Sequence, residues 1–151
     1  INETLKTIFI DKSQGMLDIV ADKLKNVNEN RYEIIHVDND NQLRTVEKFD
    51  ILISTLVFHH IENIELVIEN IYSRLNNGGK IIIIDLTIED GSFHRGNFDG
   101  HKGFDKKNIE KILTIKNFKN VKVEEFYVMD KLIENEIKKF PMFIAIGEKH
   151  E

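Results

Sequence analysis

The stretch Phe49–Leu86, FDILISTLVFHHIENIELVIENIYSRLNNGGKIIIIDL, constrains this chain more than any other. It reads as a strand over Phe49–Ser54, a polar elbow carrying the adjacent His59 and His60, a helix from about Asn63 to Leu75, a Gly78-Gly79 stop, and a second strand over Lys80–Leu86. In the helix, Ile64, Val67, Ile68, Ile71, Tyr72 and Leu75 fall on one apolar stripe, and Asn63 can cap its start. A strand–helix–strand unit of this size joins parallel strands. Parallel sheets hold ligands just beyond the C-terminal ends of their strands. The elbow Ser54–His60 and the segment after Asp85 are therefore where a site is expected.

The flanking sequence extends the same pattern. Thr7–Ile10 is a short β-branched strand ending at Asp11, followed by a helix that Ser13 can cap, with Met16, Leu17, Val20 and Leu24 at helical spacing. Tyr32–Val37 is a second strand ending at Asp38. Asp38–Asn41 is a loop signature, and a short helical turn is expected before Phe49. After Asp85, residues 87–104 hold four glycines, two histidines and three phenylalanines. So long a connection reads as a functional lid. A helix capped by Asp105 follows, with Ile109, Ile112 and Leu113 inward and Asn117 at its end. Asn120–Met129 is a strand, Asp130–Lys139 reads as a short helix or turn, and Met142–Ile146 is the last strand. Six strands alternating mostly with helices make an α/β domain, the last two strands antiparallel neighbours.

The bulk properties narrow the class. The 151 residues suit one domain with a real core. A net charge of -5, with basic residues scattered, argues against nucleic acid or an anionic membrane as partner. There is no Cys, so disulfides, thiolate metal sites and cysteine nucleophiles are excluded. No stretch reads as a membrane span or signal peptide, and a cytoplasmic protein is expected.

Four stretches resemble the class I S-adenosylmethionine-dependent methyltransferases of small-molecule type. IFIDKSQGML is similar to that family's second strand, acidic residue and following helix; HVDND to the end of its third strand; Phe49–Leu86 to its fourth strand, helix and fifth strand; Asp90–Phe104 with the later NF and terminal FPMFIAIGEK to the end of its domain. The resemblance implies a single Rossmann-like domain, 1–151, mostly parallel with an antiparallel C-terminal strand, in the relative order 3-2-(gap)-4-5-7-6. The gap is the family's first strand and its glycine-rich loop, roughly E/D-x-G-x-G-x-G. Only Ile1–Lys6 precede the acidic strand here, so a unit on the order of 30 residues is missing. The chain is then a fragment, or its second and fourth strands pair directly, or another chain fills the gap. An open sheet edge would also invite a homodimer.

The resemblance implies S-adenosylmethionine as cofactor and assigns roles. Asp11, at a strand end, would accept the ribose hydroxyls; the alternative is a solvated Asp near a helix N-terminus. Lys12 and Ser13 would line that pocket through backbone. Asp38 would take the adenine amino group and the Asn39 backbone would read the ring, or Asp38 is simply a turn residue. Met16 would pack on the adenine or in the core. Ser54, Thr55 and Leu56 would face the methionine moiety through backbone. They lack the Asn/Asp-Pro-Pro-Tyr-like motif of amide-nitrogen enzymes. His59 and His60, being adjacent, are expected to face different ways, one (His59) toward the cofactor, or both are structural. His60, His94 and His101 are candidates for a general base. His94 and His101 with one elbow histidine could also ligate a metal, but no spacing matches a recognised zinc pattern, and no metal ligand is assigned. Phe93, Phe98 and Phe104 would line the lid or dock it. The competing reading is a degenerate methyltransferase-like domain that binds a partner without catalysis.

Overall fold

The computed structural model describes residues 5–39, 47–94 and 96–150. The chain divides into two compact units, Ile1–Leu43 and Arg44–Glu151, each with its own sheet.

In the first unit, β1 (Thr7–Asp11) and β2 (Tyr32–His36) pair in parallel, from Thr7 opposite Tyr32 to Asp11 opposite His36. Between them runs α1 (Gln14–Lys23), which packs on both strands and buries Leu17. Ser13 caps it, its Oγ accepting from the Met16 N–H at 3.3 Å. The short helical turn expected before Phe49 falls largely on residues 40–46, outside the described residues.

The second unit holds β3 (Phe49–Thr55), α2 (Ile64–Arg74), β4 (Leu75–Leu86), α3 (Lys106–Ile115), β5 (Lys119–Ile133) and β6 (Glu136–Glu148). Its sheet order is β3-β4-β6-β5, with β3 parallel to β4 and β6 antiparallel to both neighbours. Counted by their family equivalents, the two sheets run 3-2 and 4-5-7-6, the order the resemblance implies. Strand β3 lies at an edge of its sheet and leaves Ile51 and Ile53 exposed.

Local chemistry explains the helices. Asn63 and Asp105 cap α2 and α3, each side chain accepting a backbone N–H at 3.0 Å, from Leu66 and Asn108. The apolar stripe of α2 buries Ile64, Val67, Ile68 and Ile71, and α3 buries Ile109, Ile112 and Leu113. Each such side chain contributes about 1.5–3 kcal/mol relative to exposure. The end of α2 differs from expectation. Gly78 and Gly79 do not stop the helix; it stops at Leu75, whose backbone is extended, and the glycines form an irregularity early in β4. There they exchange backbone hydrogen bonds with Lys149, whose ammonium also donates to the Tyr72 and Leu75 carbonyls at 2.8 and 2.9 Å. That supplies the positive charge a helix C-terminus favours.

The segment 130–139 is a correction. It is neither helix nor isolated turn. Strands β5 and β6 run on as a long hairpin closed by Glu134 and Asn135, whose φ values are 46° and 69°. Two consecutive left-handed residues are the signature of a type I′ turn. Within it Leu132 and Ile137 are cross-strand partners and stay exposed.

The connection 87–104 is folded back on itself. A parallel bridge joins Thr87 to Phe104 at its base, and Phe104 donates to the Leu86 carbonyl. The turn depends on Gly103, at φ 73°, where a Cβ would sit 1.9 Å from the Thr87 carbonyl oxygen. Gly78 is equally left-handed at φ 78°, but has nothing within 4 Å of a Cβ. Gly78→Ala should therefore lower stability by about 1 kcal/mol, the left-handed term alone. Gly103→Ala adds a backbone clash and should cost about 2–4 kcal/mol. Paired thermal melts test this; equal losses would mean that the Gly103 contact is not tight.

Candidate functional site

The elbow forms where β3 ends. Leu56 takes a left-handed φ of 55° and donates its N–H to the Ile84 carbonyl. Such a conformation in a non-glycine residue is strained and turns the chain sharply out of the sheet. A single 3₁₀ turn, Phe58–His60, follows and buries Phe58 and His59. The tight turn brings the two adjacent histidines to the same side: their ring centroids are 4.2 Å apart. The expectation that they face different ways is thus corrected; it holds for an extended chain, where side chains alternate, and not for a 3₁₀ turn.

Asp85 is the group that holds this turn. It lies fully buried near the end of β4, on the face shared by Ile81 and Ile83. Its Oδ1 accepts from His59 Nδ1 at 2.6 Å and from the Leu86 N–H at 2.7 Å, and its Oδ2 accepts from the His59 N–H at 3.2 Å. A carboxylate only accepts, so Nδ1 carries the proton, and Nε2 is the nitrogen that presents a lone pair in the neutral form of the ring. Sequence reading marked Asp85 only as a strand end. The available signal was a lone charge closing the apolar run Ile81–Ile84.

The connection 87–104 closes over the elbow. The His101 N–H donates to the His59 carbonyl at 2.8 Å, and its ring Nε2 donates to the Ile61 carbonyl at 2.9 Å. His101 is therefore committed to backbone, and the structure does not bring its ring into the histidine cluster. Gly100 lies where a Cβ would meet the His59 carbonyl at 2.3 Å. His94 joins the elbow: its ring centroid is 5.1 Å from His59 and 5.0 Å from His60, and it stacks on Phe98 at 3.8 Å. Burial lowers the His94 pKa, and the neighbouring His59 and His60 lower it further, both favouring the neutral ring. Of the lid phenylalanines, Phe93 and Phe104 are buried and dock the segment, Phe93 edge-on to Phe140.

The first unit places the other expected residues together. Asp11, Lys12 and Ser13 leave β1, and Asp38 and Asn39 lie just past its partner β2. Asp11 is half-buried, and its Oδ1 accepts the Ser13 N–H at 2.8 Å. The Lys12 carbonyl accepts from His36 Nε2 at 3.0 Å. These two backbone groups, expected to line a pocket, thus already have internal partners. Met16 is exposed, as are Asp38 and Asn39. In the second unit Ser54 and Leu56 are half-buried and Thr55 is exposed. Among the described residues, no helix is long and apolar enough to cross a membrane.

The Asp85 bonds give a direct test. Asp85→Ala leaves three buried donors without a partner and should cost about 3–5 kcal/mol of unfolding free energy. Asp85→Asn, which keeps one accepting oxygen, should cost about 1–3 kcal/mol. Urea unfolding followed by circular dichroism checks both, and a loss under 1 kcal/mol for Asp85→Ala would show that the elbow is held by something else.

Comparison with known proteins agrees with this architecture. Residues 1–81 match the sequence profile of a family described as methyltransferase domain. A tRNA (carboxymethyluridine(34)-5-O)-methyltransferase of Saccharomyces cerevisiae is 30% identical over 103 residues, which is 66% of this chain and 35% of that protein. The chain therefore spans about a third of the length of that curated relative. Among solved structures, phosphoethanolamine N-methyltransferase 2 of Haemonchus contortus in complex with S-adenosyl-L-methionine superposes with a TM-score of 0.69 at 13% identity, over 100% of this chain and 50% of that one. TehB of Haemophilus influenzae gives 0.68 at 18% identity, over 95% and 50%. At these identities the superpositions speak for the fold, and the profile match speaks for descent: this chain belongs to the methyltransferase domain family and has the fold of the class I enzymes.

Proposed function

We propose that this domain serves S-adenosylmethionine-dependent methyl transfer to a small-molecule acceptor. The observation that carries the reading is the position of Asp11 as the last residue of β1 and of Asp38 just past the end of its parallel partner β2, in a chain whose residues 1–81 match the methyltransferase profile. Acidic groups at that position suit a nucleoside, since a carboxylate accepts from a ribose diol or an exocyclic amine. The donor set fits: among the described residues the Asp11 carboxylate is engaged at Oδ1 by the Ser13 N–H, and each carboxylate oxygen has two acceptor positions.

The cofactor supplies an electrophilic methyl group on a sulfonium whose departure leaves a neutral thioether. The residues then have two tasks, to align the acceptor and to exclude water. Asp11 and Asp38 would hold the nucleoside, with the Asn39 backbone and Met16 beside the base. In the second unit, the strained Leu56 is the kind of residue found where geometry serves function. A proton acceptor is needed only for an acceptor group that must lose its proton early. The ring nitrogens of His60 and His94 are candidates for that; His101 is not, since its ring already donates to the Ile61 carbonyl.

The net charge of -5 supports a small acceptor over a polyanion. The yeast relative favours a second reading, in which the acceptor is a modified nucleoside within tRNA. Two measurements separate these. Calorimetric titration of S-adenosylmethionine and S-adenosylhomocysteine into the product of the full reading frame should show one site, weakened at least about tenfold by Asp11→Ala, roughly 1.4 kcal/mol. Absence of binding for both ligands would refute the reading. Transfer of labelled methyl groups should then mark the small-molecule fraction of a cell extract; label in tRNA instead would establish the second acceptor.

A further inference from the structure

The histidines of the elbow and lid have a property that methyl transfer does not use. One ring nitrogen from each of His59, His60 and His94 can be chosen so that all three lie within 4.8 Å of one another. Among the described residues, Nε2 of His59 and Nε2 of His94 are buried without a hydrogen-bond partner. His59 is 1% exposed, so its unpartnered nitrogen has no access to bulk water. A buried polar atom without a partner is unfavourable, and a native fold that keeps two of them side by side calls for a ligand. Packing alone does not account for the His94 nitrogen, because a phenylalanine would fill the same space without an orphaned nitrogen; the His59 ring serves Asp85 through Nδ1, which leaves its Nε2 to be accounted for.

The geometry points to a divalent transition-metal site formed by His59, His60 and His94, with Zn²⁺ the ion its donors favour. Three arguments support this. First, the donors are three imidazoles in a chain without thiolates, a set that suits a borderline cation such as Zn²⁺. Secondly, Asp85 holds His59 Nδ1–H at 2.6 Å, which fixes the tautomer and turns the Nε2 lone pair outward. A carboxylate behind the ring is the usual support of a metal-bound histidine. Thirdly, aromatic neighbours restrict the rings: Phe93 and Phe98 lie edge-on to His59 at 6.0 and 5.9 Å, and Phe98 stacks on His94. Tetrahedral Zn–N bonds of about 2.0–2.1 Å place ligand nitrogens roughly 3.4 Å apart. The observed spacing then closes by at most about 1.4 Å, within reach of small side-chain rotations. His60 is the exposed member, so the fourth position is open to water or to an oxygen ligand from solvent. A metal here would staple the elbow to the lid and offer a Lewis acid to an oxygen donor.

The test needs no methyl donor and stands apart from the cofactor reading. The untagged chain is titrated with Zn²⁺ by calorimetry and with Co²⁺ by visible absorption. The expected result is one equivalent of either ion and the intense bands of tetrahedral Co²⁺, which in a cysteine-free protein report nitrogen and oxygen ligands. Histidine 60 is exposed, so His60→Ala should fold and weaken Zn²⁺ binding at least tenfold; His94→Ala, checked by circular dichroism, should do the same. His150→Ala, remote from the cluster in sequence and bonded to Asn120 and Glu148, should bind as the parent does. Substoichiometric binding, or full binding retained in His60→Ala and His94→Ala, would overturn the proposal.

Discussion

The hydrogen bonds of Asp85 are the interaction on which the second unit depends. A carboxylate at zero exposure in an otherwise apolar strand is unfavourable unless hydrogen-bond donors replace the water it has lost. Here three donors converge on it, two of them from His59. The elbow therefore cannot leave β4 without exposing an uncompensated buried charge. The consequence runs outward in sequence. His59 presents its carbonyl to His101, His101 presents its ring to Ile61, and the connection 87–104 is drawn over the elbow. One buried charge thus organises two loops that contribute few strand or helix hydrogen bonds of their own.

Close backbone approach completes that arrangement. Gly100 and Gly103 lie where a side chain would collide with the carbonyls of His59 and Thr87. Phe93 then seats in an apolar cluster with Leu86, Phe140 and Met142, and the Lys131 ammonium lies over its ring. The glycines permit contact and the phenylalanine supplies burial; neither would order the segment alone. This is how an irregular stretch of the chain acquires a defined position beside a strand end, where parallel sheets place their ligands.

Much of the fold was legible in the residues because its signals are local. Ser13, Asn63 and Asp105 act as caps because each offers a side-chain oxygen to an N–H three residues on. The apolar stripe of α2 is buried because its period matches the helix. The two last strands were legible as antiparallel neighbours, but the continuation of their hairpin through residues 130–139 was not. Its turn, Glu134-Asn135, lacks the glycine that usually marks a left-handed pair. Long-range pairing decided the segment, since every residue from Tyr127 to Ile133 found a partner on β6, itself held by β4.

By itself the sequence determined the α/β class, the strand order within each sheet, the three helix caps and the kinds of residue at the strand ends, including the acidic pair Asp11 and Asp38. These follow from periodicity, capping chemistry and a recognisable order of motifs, all properties of neighbouring residues. Tertiary structure alone decided which histidines meet. His59 and His60 share a side because a 3₁₀ turn, not a strand, carries them; His94 arrives from a loop more than thirty residues away, and His101 is diverted to a backbone carbonyl. The reason is physical. Contacts between distant loops are set by a buried charge and by backbone clearance at glycine, and neither leaves a periodic trace in the chain.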